Sequence, residues 1–334
     1  MTYSQADITV PYAVANFAEI RHKGYYYVDK TNYIPLLERY KAPVFLRPRR
    51  FGKSLLVSML AHYYDRNMAT QFKELFGGTW IGEHPTNEHN QYLVVRYDFS
   101  TTSVASKKED IEKNFNAVNC SPLRTLVERN RDLFGDFRFR EDGNASNMLV
   151  EVCEFISSHN LPPLYILIDE YDNFTNQLLV VFKDSLYQDL TTGESFLRTF
   201  FKVIKAGIGE GTIRTCFCTG VLPVTMDDLT SGYNIAEMLT LKPEFTNLLG
   251  FTHEEAAQYL KYVINKYGPQ ASFEELWTLI LNNYDGYHFL PNTEPLFNST
   301  ILTYFLKNFA ELRGGIPTEM VDENLRTDTS WIRR

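Results

Sequence analysis

Apolar residues in this chain gather into short unbroken runs, separated by stretches in which they recur every three or four positions. "PVFLRP" (43–48), "QYLVVRYDFS" (91–100), "LPPLYILIDEYD" (161–172) and "TIRTCFCTGVLP" (212–223) are the runs, and each reads as a strand. "LYILI" within the third is apolar on both faces, the pattern of a strand buried inside a parallel sheet. Between the runs the period changes. Leu55, Leu56, Met59, Leu60 and Tyr63 follow helical spacing, and 105–131, 144–159 and 193–208 read as further helices. Strands alternating with helices over this length predict an α/β fold with a mostly parallel sheet flanked by helices.

Two regions depart from that rhythm. Residues 1–43 mix short helical patterns with "YYYV", which reads as a short strand, and "TNYIPLLERY", which reads as a short helix. After about residue 225 the strands stop. Thr252 followed three residues later by Glu255 is a capping-box start to an amphipathic helix, and "SFEELWTLILNNYDGYHF" and "PLFNSTILTYFLKNFAEL" add two more helical segments. The expected organisation is an α/β domain over 1–235, with 1–43 packed on it, and a smaller, lid-like helical domain over 236–334. The last stretch, "VDENLRTDTSWIRR", has no closing element, so a further domain is expected beyond it.

Composition narrows the class. With 44% hydrophobic, 22% charged and 14% aromatic residues the chain is an ordinary globular one. No apolar run approaches a membrane span, and the start lacks the basic and apolar regions of a secretory signal. Cys216 and Cys218 form a C-x-C that would share one face of a strand. With no further Cys or His beside them, they and the other two cysteines read as buried thiols in a reducing, cytoplasmic setting. The net charge of −8 weighs against a surface that coats nucleic acid, leaving room for a local basic groove.

The candidate chemistry starts at "FLRPRRFGKSLL" (45–56). Gly52-Lys53-Ser54 closes a G-x-x-x-x-G-K-[ST] phosphate loop (Walker A), but Arg47 stands where its first glycine belongs. The loop runs from a predicted strand into a predicted helix, where backbone N–H groups and the helix dipole favour anions. Lys53 would reach the β- and γ-phosphates and Ser54 would bind Mg²⁺, with Arg49, Arg50, Phe51, Gly52 and Leu55 completing the cradle. Asp169, ending the apolar third strand, takes a Walker B position for Mg²⁺, and Glu170 is placed to polarise an attacking water. Thr219 ends the fourth strand where a γ-phosphate sensor would sit. Thr and Gly also end strands for turn-forming reasons, so both readings of Thr219 stand. Asp172 fits a loop or capping position better than a catalytic one. Ligands of open α/β sheets bind beyond the carboxyl ends of the strands, where Ser54, Asp169 and Thr219 all fall.

"YYYVDKTNYI", "FLRPRRFGKSLLVSML", "LIDEYD", "FCTGV", "LKPEFTNLLGFTHEEA", "NYDGYHF" and "PLFNSTILTYFL" together resemble the AAA-ATPase-like family of P-loop NTPases, in order, from about residue 10 to about 325. Members are often linked to a C-terminal PD-(D/E)XK nuclease-like domain. The resemblance implies that "RPRRFGKS" is the usual form of the loop and that Lys53, Ser54, Asp169 and Glu170 keep the roles given above. It also picks out Asp29 and Lys30, expected to pack on the nucleotide base or the first strand, and Asp285 to Phe289, expected to be a helix-ending turn. The nuclease motifs are not found together in the last 80 residues, so these 334 residues are not expected to cut nucleic acid.

The expected function is Mg-dependent ATP binding and hydrolysis, a switch acting on a partner protein or a C-terminal effector such as a nuclease. Nucleic acid would be met indirectly, self-association is compatible with the family, and an arginine finger could come from Arg49, Arg50 or a neighbouring subunit. No guanine-reading N/T-K-x-D follows the fourth strand, which favours ATP over GTP. The alternatives are a nucleotide-binding scaffold that does not hydrolyse, and a nucleic-acid-binding module using the arginines of "RPRRF".

Overall fold

The computed structural model describes residues 8–102, 108–140, 143–172, 195–222, 233–268 and 271–321. Five parallel strands form one sheet: β1 Pro43–Leu46, β2 Leu93–Asp98, β3 Leu164–Asp169, β4 Ile213–Gly220 and the two-residue β5 Glu237–Met238. Their order is β2-β3-β4-β1-β5, so the chain leaves β1 for the far edge and returns strand by strand. The four longer strands are those the apolar runs predict. β5 carries two exposed residues and has no hydrophobic signature of its own.

Side-chain alternation sorts the two faces. Phe45, Tyr165, Leu167 and Phe217 pack beneath α1 (Lys53–Tyr64), with its Leu56, Met59, Leu60, Tyr63 and Tyr64. Val44, Leu46, Ile166, Ile168, Cys216 and Cys218 face the other way, onto α2 (Lys108–Arg129), α3 (Ala145–His159) and α4 (Phe196–Glu210). The C-x-C pair does share a face; its sulfurs lie 3.8 Å apart, and each of the four cysteines is a buried thiol outside any disulfide.

Among the described residues three α-helices follow the sheet: α5 (His253–Tyr267), α6 (Phe273–Tyr284) and α7 (Ser299–Glu311). Their apolar faces close a separate cluster that also takes in Ile8 and Val10. The capping box of α5 is present in full. The Thr252 hydroxyl accepts from Glu255 N at 3.2 Å and Glu255 Oε2 accepts from Thr252 N at 2.8 Å.

"YYYV" is not a strand. Its side chains nonetheless alternate as in extended chain: Tyr27 turns to the sheet-side core, where its ring meets Phe17 at 5.4 Å, and Tyr26 turns to the helical cluster and stacks on Tyr259 at 4.1 Å. The backbone there bonds to Ile20 O and Thr9 O rather than along a ladder. Alternation recorded two cores on either side of an extended segment, not a sheet.

Candidate functional site

A cavity of about 1000 Å³ opens beyond the carboxyl ends of β1, β2 and β3. Arg49, Arg50, Phe51, Gly52, Lys53, Ser54 and Leu55 form one wall. Asp98, Asp169 and Glu170 form the floor, and Leu248–Phe251 with Ser299, Thr300 and Thr303 close the other side. Tyr12–Ala15 and Tyr26–Val28 complete the rim from the N-terminal segment.

Gly52 caps α1 with φ of 94°, the left-handed region where a side chain would be strained. Lys53, the first residue of the helix, is buried, and its ammonium donates to Arg47 O and Pro48 O, each at 3.1 Å. Glu170 Oε1 lies 3.8 Å from the same ammonium. Burial lowers the Lys53 pKa, against which the charges of Glu170, Asp169 and Asp172 act. A buried cation bonded to neutral carbonyls is an incompletely satisfied one, suited to receive an anion.

Asp169 closes β3 and is 3% exposed. Burial pushes its carboxyl up, while a hydrogen bond from the Ser54 hydroxyl pulls it down. Glu170 follows in the left-handed region (φ 53°), donating its N–H to Asp169 Oδ1 at 3.0 Å. Such a φ is uncommon for a residue with a Cβ, and it swings the Glu170 side chain beside Lys53 rather than along the strand. Burial raises its carboxyl as well, and Lys53 opposes that rise.

Sequence reasoning missed Asp98. It ends β2 in register with Asp169 and lines the cavity, and its charge adds to the upward push on Asp169. The signal was available, since "LVVRYD" ends in Asp as "LYILID" does. Among the described residues no group of three or more His, Cys, Asp or Glu forms a protein-only metal cage. Mg²⁺ rarely uses one: it takes one or two carboxylates, a hydroxyl, water and phosphate oxygens. The oxygen donors of Ser54 and Asp169, already in contact, fit that pattern.

The expectation for Thr219 is corrected here. Thr219 is fully buried, does not line the cavity, and donates its hydroxyl to Phe45 O at 2.8 Å, joining β4 to β1. The hydrogen bonds of Asp29 and Lys30 go elsewhere than to the first strand, and Lys30 lines the cavity itself. Asp29 accepts from Thr31 N at 2.9 Å and from Trp80 N at 2.7 Å. The Lys30 ammonium donates to Asn247 O at 2.7 Å and to Glu255 at 2.6 Å, fastening the N-terminal segment to the start of α5. Asp172 holds a turn, as expected, accepting from Val221 N and Leu222 N.

Arg47 is also accounted for. Its backbone N–H continues the β1–β4 pairing to Gly220 O at 3.1 Å, while its side chain leaves the cavity altogether. The guanidinium, 1% exposed, donates to Leu46 O, Thr240 O, Phe245 O and Thr246 O. It lies between the rings of Phe45 (4.4 Å) and Phe289 (4.0 Å). Desolvation lowers its pKa to about 10, so it stays charged at neutral pH. "DGYHF" does end α6, with Asp285 as the capping residue, and it also delivers Tyr287 and Phe289 onto the ring of Phe51.

A family model described as "Predicted AAA-ATPase" matches residues 11–230, about two thirds of the chain. The chain belongs to the AAA-ATPase-like family. Membership implies nucleotide binding, and the matched span carries the loop and both strand-end acids of the cavity floor. An uncharacterized protein in the vnfD 5′ region of Azotobacter chroococcum mcd 1 is 26% identical over 255 residues, 74% of this chain. The matched part is 43% of that relative's length. No solved structure matches this AAA-ATPase-like chain.

Proposed function

We propose that the protein binds Mg·ATP in this cavity and hydrolyses it, using the nucleotide state to control a partner or a linked effector. One observation carries the reading: Lys53 and Ser54, from the loop after β1, meet Glu170 and Asp169, from the end of β3, in a single cavity. Lys53 would leave the carbonyls of Arg47 and Pro48 for phosphate oxygens. Ser54 and Asp169 would hold Mg²⁺, which when bound supplies neutralisation of charge on the β- and γ-phosphates. Glu170, raised by its burial, is suited to take a proton from the attacking water. Arg49, whose charge acts on both Lys53 and Glu170, is the cavity's candidate for further charge stabilisation. The control of an effector, nuclease or other, is carried by the family resemblance alone.

Titration of ATP with and without Mg²⁺ on wild type and Lys53→Ala tests the binding part. Mg-dependent affinity in wild type that falls at least ~100-fold in Lys53→Ala supports it. Equal affinity in the two proteins removes Lys53, and with it this reading of the loop.

A further inference from the structure

Three consecutive carbonyls of the loop are each held by a donor from beyond residue 245. Arg49 O accepts from Asn298 Nδ2 at 3.1 Å. Arg50 O accepts from Thr300 Oγ1 at 2.8 Å, Thr300 N at 3.2 Å and Ser299 Oγ at 3.2 Å. Phe51 O accepts from Gly250 N at 3.4 Å. The two preceding carbonyls, Arg47 O and Pro48 O, are held by Lys53.

The peptide bond is planar, and none among the described residues is cis, so a carbonyl and the next residue's N–H point in opposite directions. Drawing the carbonyls of Arg49, Arg50 and Phe51 toward α7 and Gly250 therefore turns the N–H groups of Arg50, Phe51 and Gly52 the other way. Arg50 holds φ of 70° under this arrangement, a conformation its Cβ disfavours. Gly250 approaches so closely that a Cβ there would lie 2.9 Å from the Phe51 ring.

We propose that Asn298, with Ser299 and Thr300, is a positioning residue of the phosphate loop: the start of α7 sets the direction of the N–H groups that receive phosphate. The inference rests on the reading of this cavity as a nucleotide site. It makes loop shape and the seating of α7 two aspects of one equilibrium, so whatever tightens one tightens the other. Asn298 is 3% exposed and its two ends do different work. Oδ1 caps α7, accepting from Thr300 N and Ile301 N, while Nδ2 reaches the loop.

That division makes the inference testable. Asn298→Ser keeps a good helix cap and removes the donor to Arg49 O without adding charge. Thr300→Val removes the hydroxyl donor to Arg50 O while keeping its backbone bond. Amide hydrogen exchange of nucleotide-free protein is read first, and Mg·ATP affinity second. The expected result is faster exchange at residues 49–53 in Asn298→Ser, unchanged exchange within α7, and affinity reduced about tenfold, more in the double variant. Unchanged exchange at 49–53 in both variants overturns the positioning role, as does unchanged affinity with loosened exchange. Wild type that binds no ATP would overturn the nucleotide reading instead, while the exchange arm still decides whether α7 shapes the loop.

Discussion

The guanidinium of Arg47 lies 4.0 Å from the ring of Phe289, and between them they close the phosphate loop onto the segment after α6. The position that usually carries the loop's first glycine is thus occupied by a buried tie to the C-terminal region. Four backbone carbonyls accept its hydrogen bonds, and among the described residues no carboxylate does.

Arg47→Gly, which restores the familiar motif, should therefore weaken the protein. It strands buried carbonyls and removes a desolvated cation–π contact, at a cost of about 3 kcal/mol. Denaturant unfolding measures this. A variant as stable as wild type would show that the tie contributes little and that Arg47 is a neutral replacement.

The Lys30–Glu255 pair makes the same point at a second place. Glu255 both completes the α5 capping box and neutralises the Lys30 ammonium, whose pKa burial lowers. Glu255→Gln keeps the box, which accepts Gln equally, and takes from the buried Lys30 ammonium the negative charge of its hydrogen-bonded carboxylate. The expected loss is about 3 kcal/mol by thermal or denaturant unfolding, largely relieved by adding Lys30→Met. No relief in the double variant would place the cost in the helix cap.

Asp169 and Glu170 set a pH dependence whose sign follows from burial. Both carboxyls have raised pKa values in the folded protein, so both bind protons more tightly folded than unfolded. Their contribution favours the nucleotide-free fold at low pH and is lost as pH rises from the ordinary carboxylate values, 3.8 and 4.5, through the raised ones. Asp169→Asn should flatten that part of the stability profile. Hydrolysis runs the other way, since Glu170 must be ionised to act as base. Its acid limb should lie above 4.5 and vanish in Glu170→Gln.

The sequence disclosed the sheet because buried parallel strands leave unbroken apolar runs, and Lys53, Ser54, Asp169 and Glu170, which it marked because each sits at a strand end or helix start, do line one cavity. Thr219 misled for a related reason: strand-end position says which end of the sheet a residue occupies, not which neighbour its hydroxyl will find. The roles of Arg47, Lys30 and Asn298 were illegible, since each depends on carbonyls more than 190 positions away in the chain. Backbone acceptors have no residue identity for a motif to record.

The most direct test is single-turnover ATP hydrolysis with Mg²⁺ on wild type and Glu170→Gln, with nucleotide affinity measured for both. Glu170 stands beside Lys53 in a strained backbone conformation and next to Asp169, an arrangement consistent with the proposed role of general base. The account predicts near-equal affinity and a hydrolysis rate at least ~100-fold lower in Glu170→Gln. Hydrolysis at the wild-type rate by Glu170→Gln would contradict it.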